Sequence, residues 1–197
     1  MLRQHLFPGV TDTALLVFLL LAAAPGGARA DIFDPAPPPD VPGHFTLSAL
    51  DGRMITDESF PGKWLVIFFG YTNCGDACPT TLMTIGTALD GLGPLADRIQ
   101  PLFVTIDPAR DKVGVMKRYL QAFDPRIVGL RGAPEQIEEA TKQFHVHFER
   151  SRTKNGDYEL DHTSFLYVIS PDRHMTKLVS LDVRGDKLTA ELRQLAQ

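Results

Sequence analysis

Cysteine is almost missing from this chain: Cys74 and Cys78 are the only two in 197 residues. A framework of several disulfides is excluded, and the one bridge that could form would close a loop of three intervening residues. So short a loop adds little stability by restricting the unfolded chain. The pair therefore suits redox or metal chemistry better than stapling a fold. Blocks of Lys and Arg are missing too, and the net charge is -4, which argues against a nucleic-acid partner. The apolar run from Ala14 to Ala24 has eleven residues, short of the roughly 20 that a bilayer span needs. There is no internal repeat and no lipobox cysteine to carry a lipid. What is present, 44% hydrophobic and 22% charged residues, is the composition of an ordinary globular domain.

Residues 1–30 read as a secretory leader. Arg3 gives a weakly basic start, the apolar run follows, and Pro25-Gly26-Gly27 breaks any helix. Ala28-Arg29-Ala30 then has the small-x-small form of a cleavage site. Cleavage before Asp31 is expected, with retention as an N-terminal membrane anchor as the alternative. Either outcome puts the folded part outside the cytoplasm, so the expected location is the periplasm, free or held to the inner membrane. Residues 31–43 contain five prolines and read as an extended tether. The folded domain is expected over 44–197.

Within it, Phe45-Thr46-Leu47, the turn Asp51-Gly52 and Met54-Ile55 predict an opening β-hairpin. Trp64 to Phe69 and Leu102 to Ile106 are buried strands, with a short strand over Ile127 to Leu130. Leu82, Ile85, Leu89 and Leu92 keep helical spacing, as do Met116, Tyr119, Leu120 and Phe123. Pro134 opens a third helix and Leu188, Leu192 and Leu195 mark the last. His145 to Glu149 alternates as a strand, and Asn155-Gly156 turns an inserted hairpin. Phe165 to Ile169 and Val179 to Val183 complete the strands. The expected class is α/β, a central mixed sheet flanked by helices, and a thiol pair after an early strand suits its thioredoxin-like version.

Cys74-Gly75-Asp76-Ala77-Cys78-Pro79 lies where the apolar run Leu65 to Phe69 ends and a helix begins. Pro79 is tolerated only near a helix start, so Cys78 belongs to that start and Cys74 to the preceding loop. The helix dipole favours thiolate, the form that attacks disulfides and binds metal. Far along the chain, Asp161-His162-Thr163-Ser164-Phe165 brings a histidine to the mouth of another apolar run. Two soft sulfurs and one imidazole make a coherent copper site: thiolates suit Cu(I), and adding imidazole suits Cu(I) or Cu(II). Zinc would want a fourth protein ligand, and none is evident.

These residues resemble the Sco/SenC family of copper-binding thioredoxin-like proteins. The likeness rests on Phe69-Gly70-Tyr71-Thr72, on Cys-x3-Cys-Pro at Cys74, Cys78 and Pro79, on Thr105 to Asp111 (TIDPARD) and on Asp161 to Phe165. It implies a periplasmic or intermembrane-space copper metallochaperone with Cys74, Cys78 and His162 as ligands, which helps build the CuA centre of cytochrome c oxidase. The implied partners are the CuA-bearing subunit and other copper chaperones. Members usually have His-Cys-Pro-Asp-x-Cys-Pro, so Asn73 here removes an imidazole and Gly75 loosens the loop. Some members act as thiol-disulfide reductants. The alternative reading is thus an oxidoreductase with Cys74 as nucleophile and Cys78 as resolving thiol. A peroxiredoxin is a weaker third reading, since Thr72 is only two residues before Cys74.

Other residues are given duller expectations. Asp76 either forms the turn or tunes thiolate charge. Asp161 and Thr163 point away from the His162 face and are not expected to orient its ring. His145 and His147 are read as a solvated strand face in preference to an auxiliary copper site, and Met83, Met116 and Met175 as packing residues. Asp107, Arg110 and Asp111 are expected to form a strand-end turn and helix cap with a local ion pair.

Overall fold

A computed structural model describes residues 43–153, 155–163 and 165–197. The expected leader (1–30) and all but the last residue of the expected tether (31–43) lie outside the described residues. Among those described, no helix is long and apolar enough to cross a membrane.

The elements run β1 (Thr46–Ala49), β2 (Met54–Thr56), β3 (Trp64–Gly70), α1 (Ala77–Leu92), β4 (Ile99–Thr105), α2 (Val113–Leu120), β5 (Val128–Arg131) and α3 (Pro134–Gln143). Then follow β6 (Phe148–Arg152), β7 (Tyr158–His162), β8 (Phe165–Ile169), β9 (Met175–Ser180) and α4 (Gly185–Ala196). Seven strands form one sheet in the order β2-β1-β5-β4-β3-β8-β9, while β6 and β7 form a separate two-stranded sheet. β3, β4 and β5 are parallel neighbours, and β1, β2, β8 and β9 join antiparallel. This is the expected thioredoxin-like architecture, with the opening and inserted hairpins in place.

β3 is apolar without alternation because both of its faces are covered. Leu65 to Phe69 are all at most 2% exposed. Successive side chains alternate faces, so Phe68 and Phe69 each seed an aromatic cluster. Phe68 meets Phe103, which meets Tyr119 of α2. Phe69 meets Phe144, just beyond α3, and Tyr167 of β8. The two clusters place α2 and the end of α3 on opposite faces of the sheet.

Three elements differ from expectation, the last strand being Met175–Ser180 in place of Val179 to Val183. β4 begins at Ile99, three residues before the predicted start, and includes Pro101. Pro101 pairs only with Val66 of β3, because β5 first meets β4 at Leu102. A residue without an N–H is tolerated where one flank of the strand is open. The strand predicted from His145 begins instead at Phe148, since His145 takes a left-handed backbone with φ of 51° and breaks the extended run.

Candidate metal centre

The loop 71–76 carries Cys74 from the end of β3 to α1, and Cys78 lies in the first turn of that helix, as expected. Gly70 matters to this packing. A Cβ there would come within 3.0 Å of both Cys78 Sγ and the Phe103 ring, so the absent side chain is what admits the Cys78 sulfur beneath the sheet end. The loop is pinned by Asp111, which is fully buried. Its carboxylate accepts from the Thr72 backbone N–H (3.0 Å), the Thr72 hydroxyl (2.6 Å) and the Thr105 hydroxyl (2.6 Å). Asp111 is therefore no helix cap. α2 starts after Lys112 without a side-chain cap, and the carboxylate turns inward because three donors there need an acceptor. Of the expected local contacts, the Arg110–Asp107 ion pair is present, at 2.5 Å.

The two thiols are unequal. Cys78 is buried and Cys74 half-buried, and they are not bonded to each other. The Cys74 sulfur accepts from the Cys78 backbone N–H, with the Cys78 thiol and the Ala77 N–H beside it. The Cys78 N–H lies 3.4 Å from that sulfur. These donors outweigh desolvation and lower the Cys74 pKa from 9.0 to about 6. Donation to Cys74 and burial push the Cys78 thiol strongly upward. Asp76 is exposed and caps nothing with its side chain; its charge opposes the Cys74 thiolate.

A pH dependence follows. Alkylation of Cys74 should reach half its plateau rate near pH 6, against about 8.5 for an ordinary thiol. Between those values the unfolded chain binds more protons, so stability rises with pH across the window and is lost as pH falls through about 6. Urea midpoints of the reduced protein at about pH 5.5 and about pH 8.5 check the sign. Cys74→Ser should show a smaller gain than the wild type.

His162 ends β7, in the two-stranded sheet. Its Nδ1 lies 2.9 Å from the Thr163 carbonyl oxygen. A carbonyl only accepts, so Nδ1 carries the proton and Nε2 keeps the lone pair a metal would use. Thr163 thus does orient the ring, through its main chain, which side-chain alternation could not reveal. Burial lowers the His162 pKa, favouring the neutral, ligating form. The ring sits edge-on to Tyr71 at 6.2 Å between centroids. The Tyr71 hydroxyl accepts from Leu160 N–H (3.2 Å), and its carbonyl accepts from Cys74 N–H (3.4 Å). Tyr71 therefore links the histidine strand to the cysteine loop. Among the described residues, no three of His, Cys, Asp and Glu are grouped closely enough to hold a metal ion. Cys74 and Cys78 are together, and His162 stands against Tyr71.

His145 and His147 are both exposed and belong to no metal-binding group among the described residues. Met116 is buried and Met175 packs against the core, but Met83 is 58% exposed and so is not the packing residue expected. It falls on the outward side of α1, whose inward side is Leu82, Ile85 and Leu89.

Comparison with known proteins adds a family. The SCO1/SenC family model matches residues 34–197. The mitochondrial SCO1 homolog 1 of Arabidopsis thaliana is 32% identical over 75% of this chain and 44% of its own length. The mitochondrial SCO1 of Saccharomyces cerevisiae is 39% identical over 68% of this chain and 46% of its own. The chain thus spans about half the length of these curated relatives. Bradyrhizobium japonicum ScoI, solved with copper bound, superposes with a TM-score of 0.71 at 37% identity, over 77% of this chain and 97% of that one. The periplasmic location expected from the leader is corrected here, because the curated relatives are mitochondrial by name and point away from it.

Proposed function

The chain belongs to the SCO1/SenC family, and on that premise we propose that it is a copper metallochaperone for cytochrome c oxidase. It takes one copper through Cys74, Cys78 and His162 and delivers it to the CuA site. The Sco family is one of cytochrome c oxidase assembly proteins, and solved relatives hold copper. The observation that carries the reading is the donor set. A half-buried sulfur at Cys74 that accepts a backbone N–H, a second sulfur in the next helical turn at Cys78 and an imidazole whose Nδ1 donates to a carbonyl are the donor types that copper in either oxidation state prefers.

The unequal thiols suggest the order of events. Cys74, half-buried and the more acidic of the two, meets the incoming ion first, and capture by Cys78 expels its proton. Release reverses this, with the accessible Cys74 sulfur the first to be replaced by a thiolate of the CuA-bearing subunit. Other copper chaperones are the natural donors. Residues 1–30 serve as leader or membrane anchor, 31–43 as tether and 44–197 as the copper-binding domain.

A second reading is favoured by the same asymmetry. As a thiol-disulfide reductase, the Cys74 thiolate attacks a target disulfide and releases one target thiolate. Cys78 then loses its proton, attacks Cys74 Sγ and releases the other, leaving Cys74–Cys78 oxidised. That cycle needs no imidazole. His162→Ala should therefore weaken copper retention and impair assembly of the oxidase copper centre at limiting copper, while reduction of a model disulfide stays within about twofold of wild type. Normal assembly by His162→Ala, with only the cysteine variants failing, would displace the chaperone reading in favour of the reductase.

A further inference from the structure

The β6–β7 hairpin carries His162 yet has little to hold it in place. It pairs with no strand of the main sheet, and of its ten strand residues only Leu160 is buried. A hairpin with so little apolar burial does not keep one position by packing alone. Beside the bond from Leu160 N–H to the Tyr71 hydroxyl, polar contacts from the segment between β4 and α2 take up that task. The Arg110 guanidinium donates to the Tyr158 carbonyl (2.8 Å) and to Asp157 Oδ1 (3.0 Å), and lies 3.6 Å from the centroid of the Tyr158 ring. Its Nε donates to Asp107 Oδ2 (2.5 Å), and the Tyr158 hydroxyl donates to Asp107 Oδ1 (2.8 Å). Asp107 is 2% exposed and Arg110 22%, whereas Asp157 is 57% exposed, so the Arg110–Asp107 pair is the shielded part of the knot. The cysteine loop hangs from the same segment, through Asp111 and Thr72.

We propose that Arg110, backed by Asp107, is a positioning residue for copper: it clamps Tyr158 and so sets where the His162 strand stands relative to the Cys74–Cys78 loop. This rests on the reading that His162 is a ligand. One seven-residue stretch, Thr105 to Asp111, anchors both halves of the centre. A shift of its Arg110 end moves the imidazole and leaves the sulfurs where Asp111 holds them. Four positions span the two strand residues Tyr158 and His162, and both lie on the same side of β7 because side chains alternate. The clamp therefore acts on the face that carries the imidazole. Arginine suits the task because a planar fork can bond several acceptors while stacking on a ring, and a lysine ammonium cannot do both.

The test is Arg110→Lys, which keeps the charge beside Asp107, with Tyr158→Phe as a milder second variant that removes only the hydroxyl bond. Two measurements are made on the whole chain. Hydrogen exchange of the metal-free reduced protein should be about tenfold faster at the hairpin amides, Leu160 and Thr163 included, with Phe103 in the main sheet unchanged. Cu(I) affinity, read by competition with a chromophoric chelator, should fall roughly 10- to 100-fold, as for outer partners of metal ligands. That loss should vanish when His162→Ala is already present. Equal loss in both backgrounds, or unchanged hairpin exchange in both variants, overturns the proposal. If His162→Ala alone leaves affinity at the wild-type level, the ligand reading has failed and takes the positioning role with it. The exchange data then tell that failure apart from a clamp that does not hold.

Discussion

Cys74→Ser and Cys78→Ser should each lower copper affinity by about a thousandfold, or about 4 kcal/mol at 1.4 kcal/mol per decade, and together should abolish loading. The reason is the softness of the donor. A serine hydroxyl is hard, stays protonated at neutral pH and offers Cu(I) nothing comparable to a thiolate. The two losses should nevertheless differ in kind. Cys78→Ser puts a hydroxyl, itself a donor, where the thiol faces Cys74, so the remaining sulfur should keep much of its acidity and lose chiefly its partner ligand. Cys74→Ser leaves only a buried sulfur whose thiolate is strongly disfavoured, so its residual binding should be the weaker and slower. Metal analysis of reduced, anaerobically loaded protein, with copper and zinc offered together, checks both. The sulfur-to-Cu(II) absorption of the oxidised complex should disappear in the double variant. Equal copper content in wild type and double variant would rule the site out.

The second large effect is expected away from the sulfurs. Asp111→Ala should destabilise the reduced domain by about 3 kcal/mol, since orphaning a buried donor costs about 1–3 kcal/mol and three donors converge on this carboxylate. The full sum is not reached because hydroxyls can turn to other acceptors and because a buried charge is also removed. For a domain of this size the melting temperature should drop by roughly 6–12 °C. Asp111→Asn is the sharper probe. The two threonine hydroxyls can rotate to suit an amide, but the Thr72 backbone N–H needs an acceptor in one place, so the amide must present its oxygen there. It should cost less than alanine but more than an exposed substitution. Urea unfolding followed by far-UV circular dichroism gives both values, and an unchanged midpoint for Asp111→Ala would show that the carboxylate is not what holds the cysteine loop. Copper retention should fall in parallel, because Thr72 is two residues from Cys74.

Much of this was legible in the chain because its signals are local. An unbroken apolar run marks a strand covered on both faces, as Leu65 to Phe69 is. Pro79 limits where a helix can start, and so places Cys78 in its first turn and Cys74 ahead of it. Asn155-Gly156 turns the hairpin between β6 and β7, with Gly156 at φ of 83°. The two thiols could be singled out before any geometry because they are the chain's only cysteines, whereas choosing His162 among six histidines rested on the family resemblance.

What only the tertiary structure decided is how residues distant in sequence meet. Asp111 and Thr72 are 39 positions apart, and Arg110 and Tyr158 are 48. Nothing in the periodicity near Asp111 distinguishes a helix cap from a buried acceptor, since either is an aspartate just before a helix. The difference lies in where β3 and β4 end side by side, Gly70 against Thr105. That pairing brings Thr72 and Thr105 to one carboxylate. The unequal acidity of two identical thiols arises the same way. Sequence places both cysteines near a helix start, but only folding buries the Cys78 sulfur and leaves Cys74 half-buried against a backbone N–H, because desolvation and hydrogen bonding are properties of a packed environment.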